Sequence, residues 1–140
     1  MRDHCAAKGQ EVRERFGMGL GWADLDGLLE DRKLVRYPCT ITFDPSPLQP
    51  EEMAYAEPLG AQPEAGYRIC IHPRFETDLG AVVALVLYQL VAVNYGEFAT
   101  AEDAEAFGSA ALGLSQDEYY QRLCQLADQT SAAIAGAGNL

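Results

Sequence analysis

Positive charge is scarce in this chain. Ten Lys and Arg stand against 21 Asp and Glu, a formal net charge of −11. A field of that sign repels nucleic-acid phosphates and anionic headgroups, which argues against DNA, RNA or a membrane as partner. It leaves a protein or peptide partner, basic if charged at all. Histidine is rarer still, with only His4 and His72. There is no Gly-rich phosphate loop and no dinucleotide fingerprint, so no cofactor is expected. The four cysteines, Cys5, Cys39, Cys70 and Cys124, form no Cys-x-x-Cys pair. The Met1-Arg-Asp-His-Cys5 start has no apolar run behind its charge. Together these features predict free thiols, no metal and a reducing, cytoplasmic setting. Nor is there an apolar run of the roughly 20 residues a membrane span needs. The longest, Gly80 to Val93, is broken by Tyr88 and Gln89 and bounded by Asp78 and Asn94. It reads as the central buried helix of a globular domain.

What is present suits one domain. A chain of 140 residues can bury roughly 65–70% of its unfolded surface, enough to fold without disulfide or metal. Residues 1–35 read as an N-terminal helical segment, in which Leu20, Trp22, Leu25, Leu28 and Leu29 form an amphipathic stripe. Cys39–Phe43, after Pro38, has the β-branched and aromatic character of a strand. Pro45, Pro47 and Pro50 make the next stretch a loop. Met53–Leu59 predicts a weaker strand and Gly66–Ile71 a stronger one, with Tyr67, Ile69 and Ile71 alternating with Arg68, Cys70 and His72. Thr77 or Asp78 can cap the buried helix. Thr100-Ala-Glu-Asp103 and Ser115-Gln-Asp-Glu118 are capping-box starts of two more helices, the first closed by Gly113, the second directing Tyr119, Leu123 and Leu126 inward. Residues 136–140 read as a flexible tail. Helices, then a small and mostly antiparallel sheet, then three helices predict an α+β fold.

The segment Ala101-Glu-Asp-Ala-Glu-Ala-Phe-Gly-Ser-Ala-Ala-Leu-Gly-Leu114, following a long apolar helix and Asn94-Tyr95-Gly96, resembles the acidic helix of ImmA/IrrE-type zincin metallopeptidases. Those enzymes place a strand, a His-Glu-x-x-His helix and this helix in that order. Two His one turn apart share a zinc ion, the Glu takes a proton from zinc-bound water, and an acid on the next helix completes the ligands. Laid on this chain, the motif falls on Tyr88-Gln-Leu-Val-Ala92, with Tyr88 at the first His, Gln89 at the general base, Ala92 at the second His and Asp103 at the third ligand. The resemblance therefore implies a zincin-like fold with vestigial site positions and no zinc chemistry.

Two readings of Asp103 stand side by side. With Glu105 it is an ordinary first-turn acid favoured by the helix dipole, or it is a relic ligand accepting a hydrogen bond from Tyr88 or Gln89. Cys70 and His72, two apart on one strand, are a buried thiol beside an imidazole, or an activated thiol or metal half-site. Arg68, Cys70 and His72 are candidate cleft or binding residues, and Gly66–Ile71 the candidate sheet edge for adding a peptide strand. Three functions follow: a non-catalytic zincin-like module that binds a protein or peptide; an enzyme with altered hydrolase chemistry, metal-dependent or not, in the same cleft among Tyr88, Gln89, Asp103, His72 and Cys70; or a small structural subunit of a larger assembly.

Overall fold

The computed structural model describes residues 1–138. The fold is α+β. Helix α1 (Arg2–Phe16) buries Cys5, Gly9 and Val12, one stripe at helical spacing. The stripe predicted over 20–29 resolves into a 3₁₀ turn, Trp22–Asp24, and the short helix α2 (Leu25–Glu30), which buries Leu25, Leu28 and Leu29. Three strands follow, β1 (Cys39–Thr42), β2 (Ala54–Pro58) and β3 (Tyr67–Ile71). Then come α3 (Leu79–Tyr95), α4 (Ala101–Leu112) and α5 (Gln116–Gly138). The expected tail therefore continues as helix past Gly136, and Asn139 and Leu140 lie outside the described residues.

Helix ends match their local chemistry. The Asp78 carboxylate accepts from the Ala81 N–H at 3.2 Å to start α3. At α4, Thr100 and Asp103 cap each other reciprocally, and at α5 Ser115 and Glu118 do the same. Gly113 ends α4 in the left-handed conformation, φ 70° and ψ 28°, which a side chain disfavours.

The sheet corrects two expectations. It is mixed rather than mostly antiparallel, with strand order β1-β3-β2. β3 runs parallel to β1, with Cys39 opposite Tyr67, and antiparallel to β2, with Ala54 opposite Ile71. The Gly66–Ile71 strand is therefore the centre of the sheet, not its edge; the edges are β1 and β2. Alternation of side chains reports which face of a strand is buried, not how many neighbours it has. Pro58 carried the missing signal, since proline within a sheet is confined to edges and strand ends. The turn from β2 to β3 closes through Leu59 N–H to Gly66 O, 3.0 Å. Gly66 (φ 92°) is required there, because a Cβ would lie 2.7 Å from the Pro38 carbonyl oxygen.

The inner sheet face, with Ala54, Ile69 and Ile71, packs on α3 in a core that also takes Val12 of α1, Leu28 of α2, Phe107 of α4 and Tyr119 of α5. From Ala81 to Asn94, α3 is buried everywhere except at Tyr88, Gln89 and Ala92. The stretch Leu79–Phe98 has the length to cross a bilayer, longer than the apolar run Gly80–Val93 alone, and an 18-residue window in it has a mean hydropathy of 1.7, yet 61% of that window is buried in the fold. Asn94, buried near its end, is satisfied: it accepts from the Arg36 N–H at 2.9 Å and donates to Leu34 O at 2.8 Å.

Candidate binding cleft

Tyr88, Gln89 and Ala92 stand at i, i+1 and i+4 of α3, a spacing that puts them on one side of a helix. In the fold this is the side that solvent reaches: Tyr88 and Gln89 are half-buried and Ala92 is exposed. Tyr88 and Gln89 line a cavity of about 410 Å³ between the start of β2 and α5. Met53 and Ala54 form its sheet side, Glu51 and Glu52 its rim, Glu105 of α4 and Tyr120 and Cys124 of α5 the opposite wall. Burial raises the Tyr88 phenol above its ordinary pKa, and the nearby Glu105 carboxylate adds to this.

The β2 register states which backbone groups face this side. Leu59 pairs with Gly66 and His72 N–H bonds to Met53 O, 2.8 Å. Hydrogen-bonded pairs alternate along an antiparallel ladder, so Tyr55 and Glu57 spend their backbone groups on β3. Ala54 and Ala56 turn theirs outward, to the side an added strand would take. Gln89 fits this assignment, since its Nε2 donates to the outward Ala54 carbonyl at 3.4 Å.

Asp103 does not belong to this group. Its carboxylate accepts from the Thr100 N–H at 3.0 Å and its own N–H donates to Thr100 Oγ1 at 3.2 Å. It is buried toward α1, where its charge helps raise the Cys5 thiol pKa, after burial itself. The first-turn reading of Asp103 therefore holds, and the hydrogen bond from Tyr88 or Gln89 does not form. The carboxylate that α4 sends to the cleft is Glu105. Two residues are about 200° apart on a helix, so one acid of the pair can face the cleft but not both.

Arg68, Cys70 and His72 also lie outside the cleft. Successive strand residues point to opposite faces; with Ile69 and Ile71 on α3, Arg68 and Cys70 belong to the outer face of the sheet. Arg68 there pairs with Glu57 at 2.8 Å and Asp44 at 3.3 Å. Cys70 is buried beside this trio and its thiol points at Arg68 O, 3.7 Å away. Burial pushes that thiol's pKa up, the opposite of an activated thiolate. His72 caps the following 3₁₀ turn, its Nδ1 accepting from the Arg74 N–H at 3.1 Å. Burial first, then Arg74, holds its pKa below the ordinary value. Tyr88, Gln89, Asp103, Cys70 and His72 thus make no hydrogen bond to one another, and the polar cluster an altered enzyme would need in this cleft is not assembled.

The donor set does not fit a zinc ion either. Ala92 has no donor atom, Gln89 offers a carboxamide already engaged with Ala54, and Asp103 is turned into a helix cap. Among the described residues no three His, Cys, Asp or Glu side chains gather as a metal site. The four cysteines are free; Cys5 and Cys70 are buried, Cys39 and Cys124 partly so. No family model, curated protein or solved structure matches this chain.

Proposed function

We propose that this protein is a non-catalytic, zincin-like module that holds an extended segment of a partner protein along the free edge of β2. One observation carries the reading: the outward edge of β2 starts beside Tyr88 and Gln89, where α3 between Ala81 and Asn94 opens to solvent, and Met53 and Ala54 share one cavity with them. A peptide laid there gains backbone hydrogen bonds from Ala54 and Ala56 and pockets for its alternate side chains. The strand, buried helix and acidic helix keep the order of the zincin active-site region, which supports the resemblance. Tyr88, Gln89 and Ala92 in place of the zinc ligands and base support binding without cleavage.

Titration of ¹⁵N-labelled protein with peptides selected from a random displayed library tests this. The expected result is perturbation and slowed exchange of the Ala54 and Ala56 amides, with shifts at Tyr88 and Gln89 and no cleavage of the peptide. Peptides that instead perturb β1, or that are cut, would refute it.

A further inference from the structure

The cleft differs from its neighbours in charge. The groove beside β1 holds Asp26 and Glu30 but also Arg32, and the groove between α1 and α4 carries Arg2 and Arg13. The β2 cleft carries Glu51, Glu52 and Glu105 and no Lys, Arg or His among its lining residues. Glu105 is half-buried and makes no ion pair among the described residues; its carboxylate accepts one hydrogen bond there, from Gln116 Nε2 at 3.5 Å. Glu52 uses Oε1 to cap the Gln49 N–H at 3.0 Å, and its other oxygen takes no donor. The same cavity is lined by the rings of Tyr88 and Tyr120 and by Leu85 and Leu123. Glu52 and Glu105 are half-buried and Glu51 is exposed beside them; carboxylates left without a counter-charge favour a cation. Aromatic faces favour the same ligand, and an apolar wall suits the methylene stem of a long basic side chain.

We infer that the cleft takes a single lysine or arginine side chain of the bound segment, its stem against Leu85 and Leu123 and its charged end among Glu51, Glu52 and Glu105. This rests on the reading of the cleft as a peptide site and adds what that site selects. Backbone pairing along β2 is indifferent to sequence, so the acidic pocket supplies the specificity and sets the register of the segment.

The overall charge of −11 attracts any basic peptide, so the test must separate a local pocket from a general field. Peptides are selected from a random displayed library at 150 mM salt, and binders are measured by fluorescence anisotropy against wild type, Glu105→Gln, Glu51→Gln and the remote control Glu14→Gln on α1. The expected result is one invariant Lys or Arg position. Its replacement by norleucine, or Glu105→Gln, weakens binding about tenfold, Glu51→Gln weakens it less, and Glu14→Gln leaves it unchanged. Matching melting curves show that each variant is folded. Binders that shift the Ala54 and Ala56 amides without a required basic position, or equal losses in all three variants, overturn the cation pocket while leaving the peptide site standing. Failure of any peptide to perturb β2 overturns both.

Discussion

The seam between α1 and α4 and the cleft between β2 and α5 are both places where two elements face each other, and they are built in opposite ways. At the seam, Gly9 lets the helices come so close that a Cβ there would stand 2.3 Å from Phe107 O. Across α4, Gly108 gives its space to the Tyr119 ring, whose atoms begin 2.3 Å from where a Cβ would be. Tyr119 is fully buried and its hydroxyl donates to Ala84 O at 2.6 Å, tying α5 to α3. At the cleft, Tyr88, Gln89, Glu105 and Tyr120 stand where small side chains would have let the walls meet. Small residues close one interface; long polar and aromatic ones hold the other open. The closed seam carries stability, and the open cleft is where a ligand can act.

Filling the seam is the largest way to break this comparison. In an ordinary helix interior, Gly→Ala stabilises by about 1 kcal/mol. Here Gly108→Ala and Gly9→Ala are each expected to destabilise by about 2–3 kcal/mol through overpacking, read from urea denaturation midpoints. A stabilising result would mean that the helices are not in the contact described. Next in size, Tyr119→Phe keeps the packing and removes only the buried donor to Ala84 O, an expected cost of about 1–2 kcal/mol.

The two acids of α4 sharpen the comparison from both sides. Asp103→Ala loses the cap shared with Thr100 and is expected to cost about 1 kcal/mol, with peptide binding in the cleft unchanged. Glu105→Gln is expected to do the reverse, holding the melting temperature and weakening binding. If Asp103→Ala impairs binding at unchanged stability, the assignment of roles to these residues is wrong.

His72 predicts a smaller, pH-dependent effect. Its pKa is lowered in the fold, so the folded state disfavours the proton that the unfolded chain accepts near its ordinary value of about 6.5. Its contribution is therefore complete above that value and lost as pH falls below it, when a proton on Nδ1 displaces the Arg74 N–H. The loss of melting temperature between pH 7.5 and 5.5 should be smaller in His72→Asn than in wild type. Equal losses would remove His72 from the account.

The smallest effect belongs to the cleft rim. Glu51 is the one non-glycine residue with positive φ, 70°, among the described residues. That conformation costs a side-chain-bearing residue roughly 1–2 kcal/mol, and the greater freedom of unfolded glycine offsets part of the relief. Glu51→Gly should thus raise stability by about 0.5 kcal/mol while weakening the hold on a basic side chain.

Much of this molecule is local chemistry written in order. Thr100 with Asp103, Ser115 with Glu118, Asp78 before an apolar run and Gly113 after one each decide a helix end within a few residues, so those ends were legible. So was the shared facet of Tyr88, Gln89 and Ala92, because helical spacing alone sets it. The length of α3 as a buried helix followed from its nearly unbroken apolar run. The order of the strands did not follow, because pairing depends on where the chain returns after the proline-rich loop, and alternation within Gly66–Ile71 is the same for a central strand and an edge. The cleft was legible only in part. Helical spacing groups Tyr88, Gln89 and Ala92 but does not add Asp103 to them, because its cap with Thr100 commits it elsewhere. Alternation alone does not separate Arg68, Cys70 and His72 from the cleft; strand geometry sends Arg68 and Cys70 to the far face only once β3 is known to lie flat on α3. Sequence by itself determined most of the elements, the capped helix starts and the acidic charge, all of which act over a few residues or over the whole chain at once. Only the tertiary structure decided which carboxylate meets Tyr88 and which strand edge stays free, because both depend on side chains and strands far apart in the chain being brought together by the packing of the core.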